Sequence, residues 1–188
     1  MPSAERKSTV KNREAILKMV LAALFLALSF IMPFLTGQIP EFGAMLCPLH
    51  IPVFLCGFLC GWHWGAVIGF LAPLFRSLIL GMPPLYPSAV CMAFELAVYG
   101  ALTGFLDRKL PKKKRYIYVS LLSAMVLGRL IWGMAMFICM GLVGNRFTFA
   151  AFLAGSFTNA IPGIILQIVL IPVLIMGCNR WRERNMRD

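Results

Sequence analysis

Charge is what this sequence withholds. No Asp, Glu, Lys or Arg occurs among the 22 residues between Lys18 and Glu41, the 34 between Glu41 and Arg76, or the 33 between Arg146 and Arg180. Roughly 20 apolar residues cross a bilayer as a helix, so each of these stretches is long enough to do so. With 60% hydrophobic and 13% charged residues and a mean hydropathy of +0.83, an ordinary soluble domain is excluded. Catalytic signatures are missing as well. There is no GxxxxGK[ST] loop, so the chain does not hydrolyse ATP itself, and no HExxH, aspartate-rich metal motif or nucleophile elbow. Cys47, Cys56, Cys60, Cys91, Cys139 and Cys178 lie scattered through apolar stretches without metal-site spacing and read as small buried side chains. No cofactor and no metal are expected.

What is present is a set of membrane spans. The basic N-terminal stretch precedes an apolar run too long for a signal peptide, which is retained as a first span over about residues 15–35. A second span over about 46–61 and a third over about 63–80 are separated by the break at GWHWG (61–65). Three prolines in GMPPLYPS (81–88) make a loop, because proline lacks an N–H and restricts its predecessor. A fourth span covers about 88–107, a fifth about 117–142 and a sixth about 151–178. The fold class expected is an all-α polytopic membrane protein, a six-transmembrane-helix bundle with tails over 1–14 and 179–188. Fifteen of the 18 Lys and Arg residues fall before or in the first turn of span one, in the 107–116 loop or after span six, which the positive-inside rule places in the cytoplasm together with both termini. The net +11 is thus a topology signal, and no nucleic-acid partner is expected.

Three ionisable residues lie within spans, where a charge is costly unless paired or hydrated: Arg76, Glu95 and Arg129. At 1.5 Å per residue each sits roughly 18–20 Å from the cytoplasmic end of its helix, and His50 falls near the same level. The bland reading is a Glu95–Arg pair that fixes helix packing, with either arginine as the partner. One glutamate cannot neutralise two arginines, so the layer keeps about one positive charge, which the carboxylate or phosphate of a ligand would offset. Trp132, Tyr86, Tyr99, Phe94, Met92 and Met136 surround this layer and together suit a ligand pocket, although each taken singly suits core packing better than binding. Asn159 and Gln167 in span six supply neutral hydrogen-bonding groups for a ligand or for tying helices together.

Small residues form a second pattern. Gly57, Gly61, Gly65 and Gly69 recur every four residues, as do Ala93, Ala97 and Ala101, and Gly100 pairs with Gly104. Such faces let helix backbones approach closely. Ala23 and Ala27 in span one have the same spacing, for an internal neighbour or for a partner protein.

Six spans, both ends inside, an Ala-xxx-Ala in span one and the block from Pro48 to Gly100 resemble the substrate-binding S components of energy-coupling factor (ECF) transporters. The resemblance covers essentially the whole chain. It implies a non-enzymatic subunit in a prokaryotic plasma membrane that binds a vitamin or related micronutrient near the outer face. It further implies docking through Ala23 and Ala27 onto a membrane coupling subunit carried by two ABC-type ATPases. The loops at 36–44 and 81–88 would cover the ligand. Arg76, Glu95 and Arg129 would face it, with His50, Trp132, Tyr86, Tyr99 and Asn159 around them. Riboflavin, folate, pantothenate, biotin, thiamine, pyridoxine and cobamide precursors all have relatives in the family. The extra arginine favours a ligand with a carboxylate or phosphate, such as pantothenate or folate. A neutral base-like ligand, such as a cobamide lower-ligand precursor, stays open if Glu95 contacts it and water screens the arginines. The competing readings are a self-sufficient secondary transporter of a small organic anion, against which the lack of an internal repeat counts, and an intramembrane enzyme or scaffold.

Overall fold

The computed structural model describes residues 2–32, 34, 47–111, 113–144, 148–155 and 160–185. These form helices α1 (Pro2–Ile31), α2 (His50–Cys60), α3 (Trp62–Leu80), α4 (Val90–Lys109), α5 (Lys114–Leu142), α6 (Phe149–Leu153) and α7 (Ile161–Asn185). Five described segments are long and apolar enough to cross a membrane: Asn12–Ile31, Trp62–Leu80, Leu85–Lys109, Lys114–Leu142 and Ile161–Trp181. Large apolar side chains such as Leu78, Ile79, Phe137, Ile138, Ile165 and Val169 are exposed along them. Water would not tolerate so continuous an apolar surface, and a lipid bilayer is the solvent it fits. The protein is an all-α, multi-pass membrane protein.

The segment expected as a second span behaves differently. α2 has 11 residues, about 16 Å of helix against a hydrocarbon core of about 30 Å. All but Leu59 are buried, so α2 is an internal helix wrapped by its neighbours. It ends at Gly61, whose φ of 97° is a conformation glycine adopts without a Cβ penalty, and the chain reverses directly into α3. The expected third and fifth spans appear with ends shifted by up to three residues. The sixth region consists of α6 and α7, with residues 156–159 between them outside the described set. α1 and α7 continue helically through stretches read above as tails, to Pro2 and Asn185. The proline-rich stretch after α3 makes a single wide turn over Leu85–Ala89, with Tyr86 extended, before α4 begins.

α4 is the central helix, packed against α2, α3 and α5. Glycines allow this. A Cβ on Gly57 would lie 2.6 Å from the Gly100 carbonyl oxygen, and one on Gly65 would lie 2.8 Å from the Gly57 Cα, closer than side-chain carbons ever come. Gly69 faces the Leu96–Ala97 backbone, and Gly104 faces Gly57 and Gly61. α2 therefore runs parallel to α4, with Gly57 beside Gly100 and Gly61 beside Gly104, while α3 runs antiparallel to it. Counting back along α2 from these contacts brings His50 to the level of Glu95. The small-residue stripes thus set the depth of the polar groups.

Candidate functional site

Glu95 and Tyr99 are one turn apart on α4, and both are buried. The Tyr99 ring stacks on Phe54 of α2 with centroids 4.7 Å apart and lies against Gly128 of α5, where no Cβ could fit. This clamp holds the phenol in place, and its hydroxyl donates to Glu95 Oε1 at 2.6 Å. Arg129, one residue beyond Gly128, brings its Nε to 3.4 Å from the same oxygen. His50, in the first turn of α2, has Nε2 3.8 Å from it and its ring 5.4 Å from that of Tyr99. Helices α2, α4 and α5 thus bring His50, Glu95, Tyr99 and Arg129 into one buried cluster. α7 adds Gln167, 1% exposed, whose Nε2 donates to the Cys47 carbonyl at 3.4 Å. The same carbonyl lies 3.1 Å from His50 Nδ1.

Glu95 therefore pairs with Arg129 and not with Arg76; among the described residues no ion pair reaches Arg76. Arg76 is half-buried on α3, and its Nε is buried without a hydrogen-bond partner. The neighbouring Ser77 hydroxyl donates to the Pro83 carbonyl at 2.7 Å, which ties the 81–88 stretch back onto the end of α3 beside Arg76. In register, Gly65 meets Gly100 and Gly69 meets Leu96. Arg76 consequently lies nearer the Leu80 end of the bundle than Glu95 does.

The aromatic residues distribute themselves unevenly. Tyr99 is at the centre of the cluster. Tyr86 is 45% exposed and donates its hydroxyl to the Cys139 carbonyl at 2.6 Å, so it links the turn before α4 to the far end of α5. Trp132 stacks with Phe152 of α6 at 6.5 Å, and a Cβ on Gly155 would meet its ring at 2.8 Å. Phe94 faces outward and packs edge-on against Phe70 at 5.8 Å, while Met92 and Met136 are half-buried. Asn159 lies outside the described residues, as does the 36–44 stretch. Gln167 enters the cluster with a weak sequence signal, one of two amides, with Asn159, in a largely apolar span.

Chemically, the cluster offers one ionised pair, one phenol, one imidazole and one amide. No group of three metal-ligating side chains occurs among the described residues. Residues 17–175 match the family described as ECF transporter, substrate-specific component, so the chain belongs to that family. It is a transport subunit and not an enzyme, and its function is substrate binding as the S component of an ECF transporter. Membership implies partnership with a membrane coupling component and ATPase subunits. No curated protein matches the chain. No solved structure matches it either.

Proposed function

We propose that this S component takes up an anionic vitamin or vitamin precursor and holds its carboxylate or phosphate on Arg76, beneath the 81–88 stretch. The observation that carries this reading is the division of the charges. Arg129 is taken by Glu95, whereas Arg76 keeps an unpartnered, buried Nε. A cation in an apolar medium is costly, and a bidentate anion is the partner that guanidinium geometry fits best. The Glu95–Tyr99–His50 cluster lies deeper and contacts the rest of the ligand, with Trp132, Tyr86 and Asn159 as flanking candidates. Arg76→Met is expected to leave a well-folded protein that binds roughly ten- to a hundredfold more weakly, the span of one or two charge-assisted hydrogen bonds. Calorimetry against a vitamin panel, with mass spectrometry of any co-purified small molecule, measures this. A folded Arg76→Met protein with unchanged affinity overturns the reading.

Six membrane-associated helices with both ends in the cytoplasm accord with the parallel course of α2 and α4 and with the basic flanks. In this reading α2 reaches from the Glu95 level to the inner face. Docking on the coupling component occurs through α1. Ala22, Phe25 and Ser29 face inward, whereas Ala23 and Ala27 are exposed beside Val20 and Leu24 on the opposite face. Two alanines one turn apart leave a shallow trough into which a partner helix fits. Ala23→Trp combined with Ala27→Trp is expected to preserve ligand binding by the isolated subunit. Co-purification with the coupling complex and cellular uptake should each fall at least tenfold. Retained uptake would remove α1 from the interface.

A further inference from the structure

Two hydrogen-bonding atoms of the Glu95 cluster that are buried without a partner can be identified as acceptors. The Cys47 carbonyl can only accept, yet His50 Nδ1 and Gln167 Nε2 both approach it. Neutral His50 must therefore carry its proton on Nδ1, leaving a lone pair on Nε2, and Gln167 must turn its NH2 to the carbonyl and its Oε1 away. Both His50 Nε2 and Gln167 Oε1 are buried without a hydrogen-bond partner. The Nε2 lone pair faces Glu95 Oε1 at 3.8 Å, too long for a hydrogen bond whichever atom bears a proton. Of the local donors, the Tyr99 hydroxyl is committed to Glu95, and Arg129 is the ion-pair partner of the same carboxylate. Two buried acceptors, His50 Nε2 on α2 and Gln167 Oε1 on α7, are thus left without a donor in the layer that holds the Glu95 carboxylate. Unpartnered buried acceptors are costly, and a group that satisfies several at once is strongly favoured there.

We infer that the end of the ligand reaching this layer is an N–H donor head, an amine or an amino-substituted nitrogen ring, which donates to His50 Nε2, Gln167 Oε1 and Glu95. The inference rests on the reading above that the ligand site lies in this layer, and it sets the polarity of the bound molecule: amino head inward, anion on Arg76. With Glu95 and Arg129 cancelling in charge, a neutral or a cationic head fits equally. A carbonyl in the same place would leave both His50 Nε2 and Gln167 Oε1 unsatisfied and bind more weakly.

The test uses the full chain in mild detergent and probes matched except for the amino group: thiamine against oxythiamine, and pyridoxamine 5′-phosphate against pyridoxal 5′-phosphate. In any pair that binds, the amino member is expected to bind at least tenfold more tightly. Gln167→Leu and, separately, His50→Phe should bring the two members to within about twofold, the second variant guarding against misfolding of the first. Arg76→Met should instead weaken both phosphate-bearing probes alike. Equal affinity within a pair overturns the donor head, and if Arg76 dependence persists the anionic-ligand reading survives on its own. Wild-type discrimination in both acceptor variants also overturns it, since water alone would then be filling the acceptors. If no probe binds, 15N spectra of the His63→Gln protein, which retains His50 as its one histidine, decide the matter. An unprotonated Nε2 upholds the acceptor assignment on which the inference stands, and a protonated Nε2 overturns it.

Discussion

Gly100→Leu is expected to leave almost no folded protein. At this point the backbones of α2, α3 and α4 meet: a Gly100 Cβ would lie 2.8 Å from the Gly65 Cα, and the Gly65 carbonyl is closer still. The obstructing atoms are main chain on both sides, so no rotamer change can relieve the clash. Overfilling a close-packed interior with flexible neighbours costs about 1–3 kcal/mol, and a contact between two backbones exceeds that range because whole helices must separate. Separation would also release His50 from the level of Glu95, since the Gly57–Gly100 contact sets the depth of α2. Gly177→Leu on α7 is the control, because a Cβ there meets nothing within 4 Å. It is expected to be neutral or slightly stabilising, as leucine favours a helix over glycine by up to about 1 kcal/mol. Monodisperse yield in detergent and the thermal midpoint measure both. A Gly100→Leu protein with a wild-type midpoint would mean that the three helices do not touch there.

The same glycines show what a chain of letters can carry. Spacing by four puts Gly57, Gly61, Gly65 and Gly69 on one helical face, so close approach was legible. Which helix approaches was not, because periodicity has no addressee. Depth was legible only in part: counting residues from the charged flanks placed Arg76, Glu95 and Arg129 at similar distances from one side, whereas the Gly65–Gly100 and Gly69–Leu96 contacts set Arg76 nearer the Leu80 end than Glu95. Depth does not fix the direction in which a side chain points around its helix axis. Only assembled helices show Arg129 turned to Glu95 and Arg76 set apart from it. The aromatic residues suffered from the same ambiguity: Tyr86 and Trp132 lie at suitable depths, yet the hydroxyl of one is tied to Cys139 and the ring of the other stacks on Phe152. Apolar run length was misleading for α2, since a run of apolar residues fits a lipid-facing span and a buried half-length helix alike. Gln167 carried little signal, because a single amide is as readily a helix tie as a ligand contact.

The Glu95–Arg129 pair makes a sharp thermodynamic expectation, because its two members are 2% and 6% exposed. Arg129→Met is expected to destabilise the protein by about 3–5 kcal/mol, as removing one partner strands a carboxylate held only by the Tyr99 hydroxyl. Glu95→Gln keeps an acceptor for Tyr99 but leaves the guanidinium unpaired, and a loss of about the same size is expected. The double variant should recover most of what either single change loses. Neither stranded charge exists in it, and replacing a buried ion pair by neutral groups of similar volume is often close to neutral. Unfolding midpoints of the four proteins in mixed micelles close the cycle. Additive losses would show that the two side chains do not interact in solution, whatever their 3.4 Å separation suggests. Ligand binding by the double variant then separates structure from recognition. A stable double variant that still binds would confine Arg129 to holding Glu95 and Tyr99 in position, and the attraction for an anion would rest with Arg76. A stable double variant that no longer binds would place the pair itself in contact with the ligand.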